Sequence, residues 1–550
     1  MSQRALANRL FLAVAVIVFS GCGLGFGSGD AVDLPFLPAA TAPASGEIVM
    51  EEMAVEGAAP LEPMAPVNAA PAGESIVDFN TEEYDRIYEN EFLEALSNPL
   101  STVSIDVDTA SYSNTRRFLN DSQLPPPDAV RIEEFINYFN YDYPQPEGDD
   151  PFSINVEVSE APWNATHQLV HVGLQGLDVP KDELPDSNLV FLLDVSGSMN
   201  HPNKLPLVKQ GFRLLVDQMS ERDSVAIVVY AGAAGLVLPP THGDNKAAIL
   251  EAIDNLEAGG STAGGEGIQL AYQVAGDNFI EGGNNRVILA TDGDFNVGPS
   301  SDAELIRLIE EKREDGIFLS ILGFGTGNLK DSKMEQLADS GNGNYAYLDS
   351  IREANKVLVS EMAGTLLTIA KDVKIQIEFN PAKVKAYRLI GYENRLLAKE
   401  DFADDTKDAG ELGAGTAVTF LYEIMPVGAD EALRSTPELK YQDTEVSDEA
   451  QQSNELLNLQ LRYKQPDGEE SILMVHPVLD DVLPLEETSD NFRFAAAVAE
   501  FGMLLRDSSF KGDASYADVL SLAGEALGED EAGYRLEFLR LVETAELLNR

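Results

Sequence analysis

The sequence predicts an α/β protein in which a doubly wound domain is inserted between flanking segments that together form an antiparallel, β-sandwich-like domain. Within residues 186–370, short apolar runs alternate with helical patterns, which is typical of a parallel sheet covered by helices on both faces. Residues 80–182 and 372–550 contain helices and also strands with strict apolar-polar alternation, which indicates antiparallel strands with one buried face. A chain of 550 residues with 44% hydrophobic content can build several cores.

Apolar runs rich in Val, Ile, Leu and Phe predict the parallel strands of the central region. They cover residues 189–193, 225–230, 287–291 and 317–323. Helices are predicted between them, over residues 204–219, 246–256, 265–275 and 303–314. In such a domain the carboxyl ends of the strands meet the amino ends of the helices, and ligands bind at that edge.

The flanks show the period of two that antiparallel strands require. Strands are predicted over 154–158, 170–174, 373–379, 418–424, 457–463 and 471–475, with a hairpin turn at 465–468. Neither flank alone has enough strands for a sandwich, so both are expected to contribute to one sheet system.

Helices are predicted at both ends of the folded region. In the amino-terminal flank they cover 82–97 and 129–139, and Asp108 is expected to cap a further helix that runs through Phe118. Asp106 and Asp108 suggest a second metal site, but no hydroxyl and acid partners follow on later strands, so a structural role is favoured. Two stripes near the carboxyl terminus are expected to face the core: Phe494, Val498, Phe501 and Leu505, then Phe538, Leu541, Val542 and Ala545.

Residues 1–22 have the features of an export signal. Arg4 and Arg9 precede an apolar stretch that is too short to span a bilayer, and Phe19-Ser-Gly-Cys22 follows that stretch. The arrangement resembles a bacterial lipoprotein signal, which implies lipidation of Cys22; an ordinary secretory signal or an uncleaved anchor are the alternatives. Residues 23–78, rich in Ala, Pro and Gly, predict a disordered tether.

Charge and cysteine content narrow the function classes. A formal net charge of −55 argues against nucleic acid and anionic membrane surfaces as partners. Cys22 is the single cysteine, so no internal disulfide can form. Gly23 supplies no inner-membrane-retention aspartate after Cys22, so the outer membrane or cell surface is favoured.

Polar residues suited to a hard cation lie where central strands end or helices begin. Asp194, Ser196 and Ser198 follow the first strand, Thr262 precedes a helix, and Asp292 follows the strand over 287–291. These side chains can converge at one edge of a parallel sheet as carboxylate and hydroxyl oxygens. Two carboxylates and neutral hydroxyls would leave a divalent cation electrophilic enough to accept a carboxylate oxygen from another molecule.

The pattern resembles the metal-ion-dependent adhesion site (MIDAS) of the von Willebrand factor type A (vWA) family, which has Asp-x-Ser-x-Ser, then Thr, then Asp. The resemblance implies a Rossmann-like vWA domain that binds Mg²⁺ or Mn²⁺. It also implies direct ligation by Ser196, Ser198 and Thr262 and partly water-mediated ligation by Asp194 and Asp292, with a partner's Glu or Asp completing the shell. Residues 99–112, 129–138, 492–501 and 533–538 resemble the extra regions of a bacterial subgroup of vWA lipoproteins.

Other interpretations of the motif fit less well. A phosphatase of the haloacid dehalogenase type would need a second Asp where Ser196 stands, and an EF-hand would need Gly at Val297 and Glu at Ala303. A metal-dependent hydrolase would need a base or nucleophile beside the metal, and of the histidines only His201 lies near the motif in sequence. A structural envelope lipoprotein without a regulated ligand also stays open.

The sequence therefore predicts a non-enzymatic, divalent-metal-dependent protein-binding module, acting in adhesion or assembly. The module is expected in the cell envelope, anchored to a membrane by lipid. Its expected partner is a protein with an exposed Asp or Glu.

Overall fold

Strands from both flanks and from the central region organise the folded part of the chain. The computed structural model describes residues 80–550 except 262–263, 294, 296–300, 363, 365–366, 432, 434–444 and 467. Numbered in chain order, the strands of the amino-terminal flank are β1 (Leu93–Glu94), β2 (Leu100–Ser104), β3 (Phe152–Ala161) and β4 (Asn164–Gly176). The central strands are β5 (Ser187–Asp194), β6 (Ser224–Tyr230), β7 (Ala234–His242), β8 (Asn284–Thr291), β9 (Ile317–Phe324) and β10 (Tyr345–Leu348). The carboxyl-terminal flank adds β11 (Thr368–Phe379), β12 (Val384–Ile390), β13 (Gly410–Gly413), β14 (Ala417–Pro426), β15 (Glu455–Lys464) and β16 (Ile472–Leu479).

The helices follow the same three-part division. The amino-terminal flank has α1 (Ala110–Asn120) and α2 (Ile132–Asn137). The central region has α3 (Leu205–Gln218), α4 (Lys246–Asp254), α5 (Gly264–Asp277), α6 (Asp302–Glu314), α7 (Asp331–Ser340) and α8 (Ile351–Asn355). The carboxyl-terminal flank has α9 (Asp448–Gln452), α10 (Asp490–Arg506), α11 (Tyr516–Gly524) and α12 (Tyr534–Leu548). Among these described helices, none has both the length and the apolar character that a membrane crossing would require.

The central sheet has the strand order β10-β9-β8-β5-β6-β7, and its strands are parallel except for the edge strand β7. Helices α3, α4 and α8 pack on one face through residues such as Phe212, Ile249 and Ala354. Helices α5, α6 and α7 cover the other face. The prediction of a doubly wound domain is confirmed, and the fully buried strands β5 and β8 place their carboxyl ends side by side at one edge.

Both flanks contribute strands to the same two antiparallel sheets. One sheet has the order β1-β12-β14-β4-β3, and the other has β13-β11-β15-β16 with β2 paired to β11. Their inner faces share one core that includes Val172 and Phe420 from the first sheet and Ile375 and Leu459 from the second. The prediction that the central domain is inserted into a sandwich-like domain is therefore confirmed.

A helical core closes the opposite face of the first sheet. Helix α10 is buried around most of its circumference, with Phe494, Val498 and Phe501 inaccessible, and it packs between α2, α11 and α12. Phe538, Leu541, Val542 and Ala545 of α12 line the same core. The stripes predicted near the carboxyl terminus are thus core-facing.

The predicted helix over 82–97 is wrong. This segment contains the short strand β1 and no helix, because its polar groups bond to partners distant in sequence. The amide of Glu83 donates to the Leu329 carbonyl at 3.0 Å, and the Asn90 side chain donates to the Gly391 carbonyl at 2.8 Å. Tertiary pairing outweighs the helical propensity of the local sequence here.

Two further predictions for the amino-terminal flank need correction. Asp108 does not cap α1, because its Oδ1 accepts a hydrogen bond of 2.7 Å from the Tyr345 amide instead. The residue at the cap position is Thr109, whose side chain makes no capping bond. The helix predicted over 129–139 is shorter, since a 3₁₀ turn at Pro127–Ala129 precedes α2.

Candidate metal centre

The candidate site lies where β5 and β8 end. Asp194 is the last residue of β5 and Asp292 directly follows β8, and these neighbouring strands are parallel. Both carboxylates are fully buried, at 0% exposure. Strand pairing alone therefore brings two acids separated by almost a hundred positions to one edge of the sheet.

The turn after β5 adds hydroxyl oxygens to these acids. Ser196 donates its amide to Asp194 Oδ1 at 2.8 Å, and a 3₁₀ turn at Gly197–Met199 follows. The Oγ atoms of Ser196 and Ser198 lie 3.0 Å apart, and Ser198 is close enough to Asp292 to help lower the pKa of that carboxyl group. The structure thus brings together Asp194, Ser196, Ser198 and Asp292.

Thr262 lies outside the described residues, but the loop that leads to it contacts the site. The Gly197 amide donates to the Gly260 carbonyl at 3.1 Å, and the Gly259 amide donates to the Val195 carbonyl at 2.8 Å. Gly260 has a φ of +89° and lies against the Gly232 backbone, where a β-carbon would be crowded at 3.3 Å. Cys22 also lies outside the described residues.

The state of Asp194 fits a cation ligand. Its Oδ2 is buried without a hydrogen-bond partner in the described part of the chain, and the nearby Tyr230 hydroxyl does not reach hydrogen-bonding geometry. Burial raises the pKa of Asp194 to about 6, although hydrogen bonds from Ser196 oppose the rise. An unpaired carboxylate oxygen beside two hydroxyls is a donor set that hard divalent cations prefer, so these residues fit the group that the sequence implies.

Two residues of the site were missed by the sequence reasoning. The buried ammonium of Lys204 donates to Asp292 Oδ2 at 2.8 Å and to Asn328 Oδ1 at 3.2 Å. Burial alone would raise the pKa of Asp292, but the charge and hydrogen bond of Lys204, with bonds from Ser198 and Asn328, hold it below its ordinary value. Asn328 follows β9, the next strand beyond β8, so its place at the same edge was available from the strand order.

His201 is the histidine near the motif that bears on the alternative of a metal-dependent hydrolase. His201 is exposed in the loop after Met199, as expected for a surface residue. The loop is held near the site by Lys204, whose amide donates to the His201 carbonyl at 3.0 Å.

A second acidic cluster lies between the central domain and the flanks. Carboxylate oxygens of Asp106, Glu134 and Glu335 all lie within 4.8 Å of one another, and all three residues are buried. The acids that accompany Asp106 come from helices α2 and α7, whereas the sequence reasoning looked for partners on later strands. Two guanidinium groups nevertheless supply the countercharge: Arg131 pairs with Glu134, and the Nε of Arg395 donates to Asp106 Oδ2 at 3.2 Å. We call these five residues the ionic joint.

Family comparisons match almost the whole described chain. A model described as von Willebrand factor type A domain matches residues 188–359, one described as von Willebrand factor matches 78–171, and one described as Uncharacterized protein YfbK, C-terminal, matches 364–548. The chain is 45% identical to "Uncharacterized protein YfbK" of Escherichia coli (strain K12), over 86% of this chain and 82% of that one. It is 30% identical to "Uncharacterized protein sll0103" of Synechocystis, over 30% of this chain and 39% of the relative.

Solved structures give more distant matches. The structure "von Willebrand factor type A from Catenulispora acidiphila" is 16% identical, with a TM-score of 0.38, over 72% of this chain and 91% of that one. "Crystal structure of the ArnB paralog VWA2 from Sulfolobus acidocaldarius" is 12% identical, with a TM-score of 0.36, over 72% of this chain and 98% of that one.

Proposed function

The chain belongs to the von Willebrand factor type A protein family that includes Escherichia coli YfbK, and we propose that it binds a carboxylate-bearing protein partner through a divalent cation. The family membership indicates a protein-interaction or adhesion module. The observation that carries the metal-dependent part is the buried Oδ2 of Asp194, which has no hydrogen-bond partner among the described residues and lies beside the hydroxyls of Ser196 and Ser198.

Asp194, Ser196, Ser198 and Asp292 would hold Mg²⁺ or Mn²⁺, with Thr262 as the further ligand that the sequence motif supplies. When bound, the cation would offer one coordination position to a carboxylate oxygen of the partner. The protein's own part is to fix the oxygens: β5 and β8 set the two acids, and the 3₁₀ turn sets the serines.

The proposed setting is the cell envelope, with a lipid on Cys22 as the anchor. This part of the proposal rests on the amino-terminal sequence alone. Changing Cys22 to Ser should move the protein from the detergent-soluble membrane fraction to the aqueous fraction, and retention in the membrane fraction would contradict the anchor.

Calorimetric titration of the purified protein with Mn²⁺ or Mg²⁺ tests the metal site. We expect one ion to bind the wild type, and Asp194→Ala or Asp292→Ala to abolish binding with little change in circular dichroism. Asp186→Ala is the matched control, because Asp186 precedes β5 at the opposite edge of the sheet and pairs with Arg222 on the surface. Equal binding by wild type and Asp194→Ala would overturn the metal site.

Capture of envelope proteins with and without a chelator tests the partner. Proteins retained only in the presence of the cation, and lost with Asp194→Ala, are the expected result. A set of captured proteins that the chelator leaves unchanged would overturn metal-dependent recognition and support a purely structural role.

A further inference from the structure

We propose that Lys204 is a positioning residue that keeps Asp292 from closing fully on the bound cation, so that the site retains an open coordination position for an anionic ligand. This inference rests on the proposed metal site. It concerns a residue outside the sequence motif, at a position set by the close approach of α3 to the loop after β9.

The first argument is the placement of Lys204. Its side chain is 6% exposed and directs Nζ between Asp292 Oδ2 and Asn328 Oδ1. A lysine so deeply buried normally needs a compensating charge. Asp292 supplies that charge, so one oxygen of this carboxylate is committed to the lysine.

The second argument is that the protein makes room for this lysine. Gly325, directly after β9, has a φ of +75°, and a β-carbon there would stand 2.3 Å from Lys204 Cε and 2.4 Å from Cγ. Only a glycine combines this backbone conformation with the space that the side chain occupies. The fold therefore provides the space beside Gly325 that the Lys204 side chain occupies.

The third argument is charge. The carboxylates of Asp194 and Asp292 would together neutralise a divalent cation, whereas the ammonium of Lys204 restores one positive charge to the site. Because Lys204 holds Asp292 Oδ2, this oxygen is already engaged before a cation binds. Lys204 thus weakens binding of the cation, and it strengthens the electrostatic attraction between the occupied site and a carboxylate ligand.

The experiment compares Mn²⁺ binding by wild type, Lys204→Met and Lys204→Gln in the full chain. Calorimetry gives the affinity, and water-proton relaxation gives the number of waters on the bound ion. We expect both variants to bind Mn²⁺ about tenfold more tightly, because the ammonium no longer repels the cation or holds Asp292 Oδ2, and the bound ion to lose about one water as Asp292 moves onto it.

Lys204→Gln keeps a hydrogen-bond donor while removing the charge, so it decides the question if Lys204→Met does not fold. Lys209→Met is the control on the same helix, because Lys209 Nζ bonds to the carbonyls of Asp254 and Leu256, away from the site. Unchanged or weaker Mn²⁺ binding by the folded Lys204 variants would overturn the inference alone. Failure of the wild type to bind Mn²⁺ would overturn the proposed function and this inference together.

Discussion

The metal centre and the ionic joint both bury several carboxylates, yet they balance the negative charge in different ways. In the ionic joint, Arg131 and Arg395 hold the carboxylates from fixed positions, and Asn394 and the Ser111 amide occupy further oxygens. In the candidate metal centre, the basic side chain of Lys204 pairs with Asp292, whereas Asp194 Oδ2 has no hydrogen-bond partner among the described residues. Carboxylates saturated by guanidinium groups stabilise an interface, whereas a carboxylate with an open oxygen beside hydroxyls is available to a cation.

Position in the fold explains the difference. The ionic joint connects residues from three parts of the chain: Asp106 and Glu134 from the amino-terminal flank, Glu335 from the central domain and Arg395 from the carboxyl-terminal flank. A planar guanidinium with several donors suits such a junction, because it can bind carboxylates from different segments at once. The candidate metal centre instead gathers loops at one edge of a sheet, beside the exposed Gly197 and Asn200.

The largest expected effect is the loss of stability when the joint loses a guanidinium. Arg131→Met should lower the free energy of unfolding by about 3–5 kcal/mol, because it leaves buried carboxylates without their countercharge. Urea unfolding followed by the fluorescence of Trp163, which is buried in the helical core, measures this. Arg213→Met is the control, since Arg213 and Asp254 are both more than 40% exposed, at 43% and 46%, and should cost less than about 1 kcal/mol. Equal effects of the two substitutions would show that the joint contributes no more than a surface ion pair.

The second prediction separates the two clusters by metal binding. Asp194→Asn should weaken Mn²⁺ binding at least ~100-fold, equivalent to about 2.7 kcal/mol, because it removes the charge of a carboxylate whose Oδ2 has no hydrogen-bond partner in the described part of the chain. Asp106→Asn should change the Mn²⁺ affinity by less than about twofold, since arginine already pairs with that carboxylate. Calorimetric titration of both variants provides the measurement. A comparable loss in Asp106→Asn would show that the ionic joint also holds a cation.

Glu500 of α10 is a third kind of buried carboxylate and sharpens the comparison through pH. It is 1% exposed, its Oε1 accepts a bond of 3.2 Å from the Ser515 amide, and its Oε2 has no hydrogen-bond partner in the described residues. Burial raises its pKa from 4.5 to about 7. Neither a guanidinium nor a hydroxyl cluster lies nearby in the described residues. The Glu500 carboxyl group is therefore expected to stay protonated in the folded protein below about pH 7.

The sign of the effect follows from the two states. Between pH 4.5 and about 7 the folded protein holds this proton and the unfolded chain releases it, so stability falls as pH rises through that interval. Glu500→Gln should therefore raise the unfolding free energy by about 3 kcal/mol at pH 8 and change it little at pH 4.5. Urea unfolding at both pH values measures this, with the exposed Glu487→Gln as the control. A gain that is independent of pH would contradict a titration origin.

The convergence of Asp194 and Asp292 was predictable from the sequence because both lie at positions that strand order fixes. Asp194 and Asp292 each come at the end of an apolar run, and parallel neighbours bring such ends together. Lys204 was not predictable in the same way. Its side chain reaches the site through the space beside Gly325, and no local sequence pattern predicts a contact between Lys204 and Gly325, which are far apart in the chain.

The ionic joint was missed for a related reason. Its acids come from a loop and two helices in separate regions, so neither spacing nor period connects Asp106 with Glu134 and Glu335. The predicted helix over 82–97 failed because backbone pairing with distant residues, such as Glu83 with Leu329, decided the conformation. The strands of both flanks were predictable, since a period of two fixes which face is buried.

The smallest expected effect is energetic coupling between the two clusters through the loop 325–331. Asn328 bonds to Lys204 in the metal centre, and Asp331, at the start of α7, pairs with Arg131 and accepts a bond of 3.0 Å from the Tyr345 hydroxyl. Arg131→Lys keeps the charge but loses the planar fork, so it should loosen the start of α7 without removing the countercharge. Because the loop is short, we expect Mn²⁺ affinity to fall about two- to fivefold, or about 0.5–1 kcal/mol, in this variant. The pair Arg313 and Asp408 lies outside this loop, so Arg313→Lys is the matched control and should leave the affinity unchanged. Identical Mn²⁺ affinities for wild type and Arg131→Lys would show that the joint and the metal centre are independent despite their shared loop.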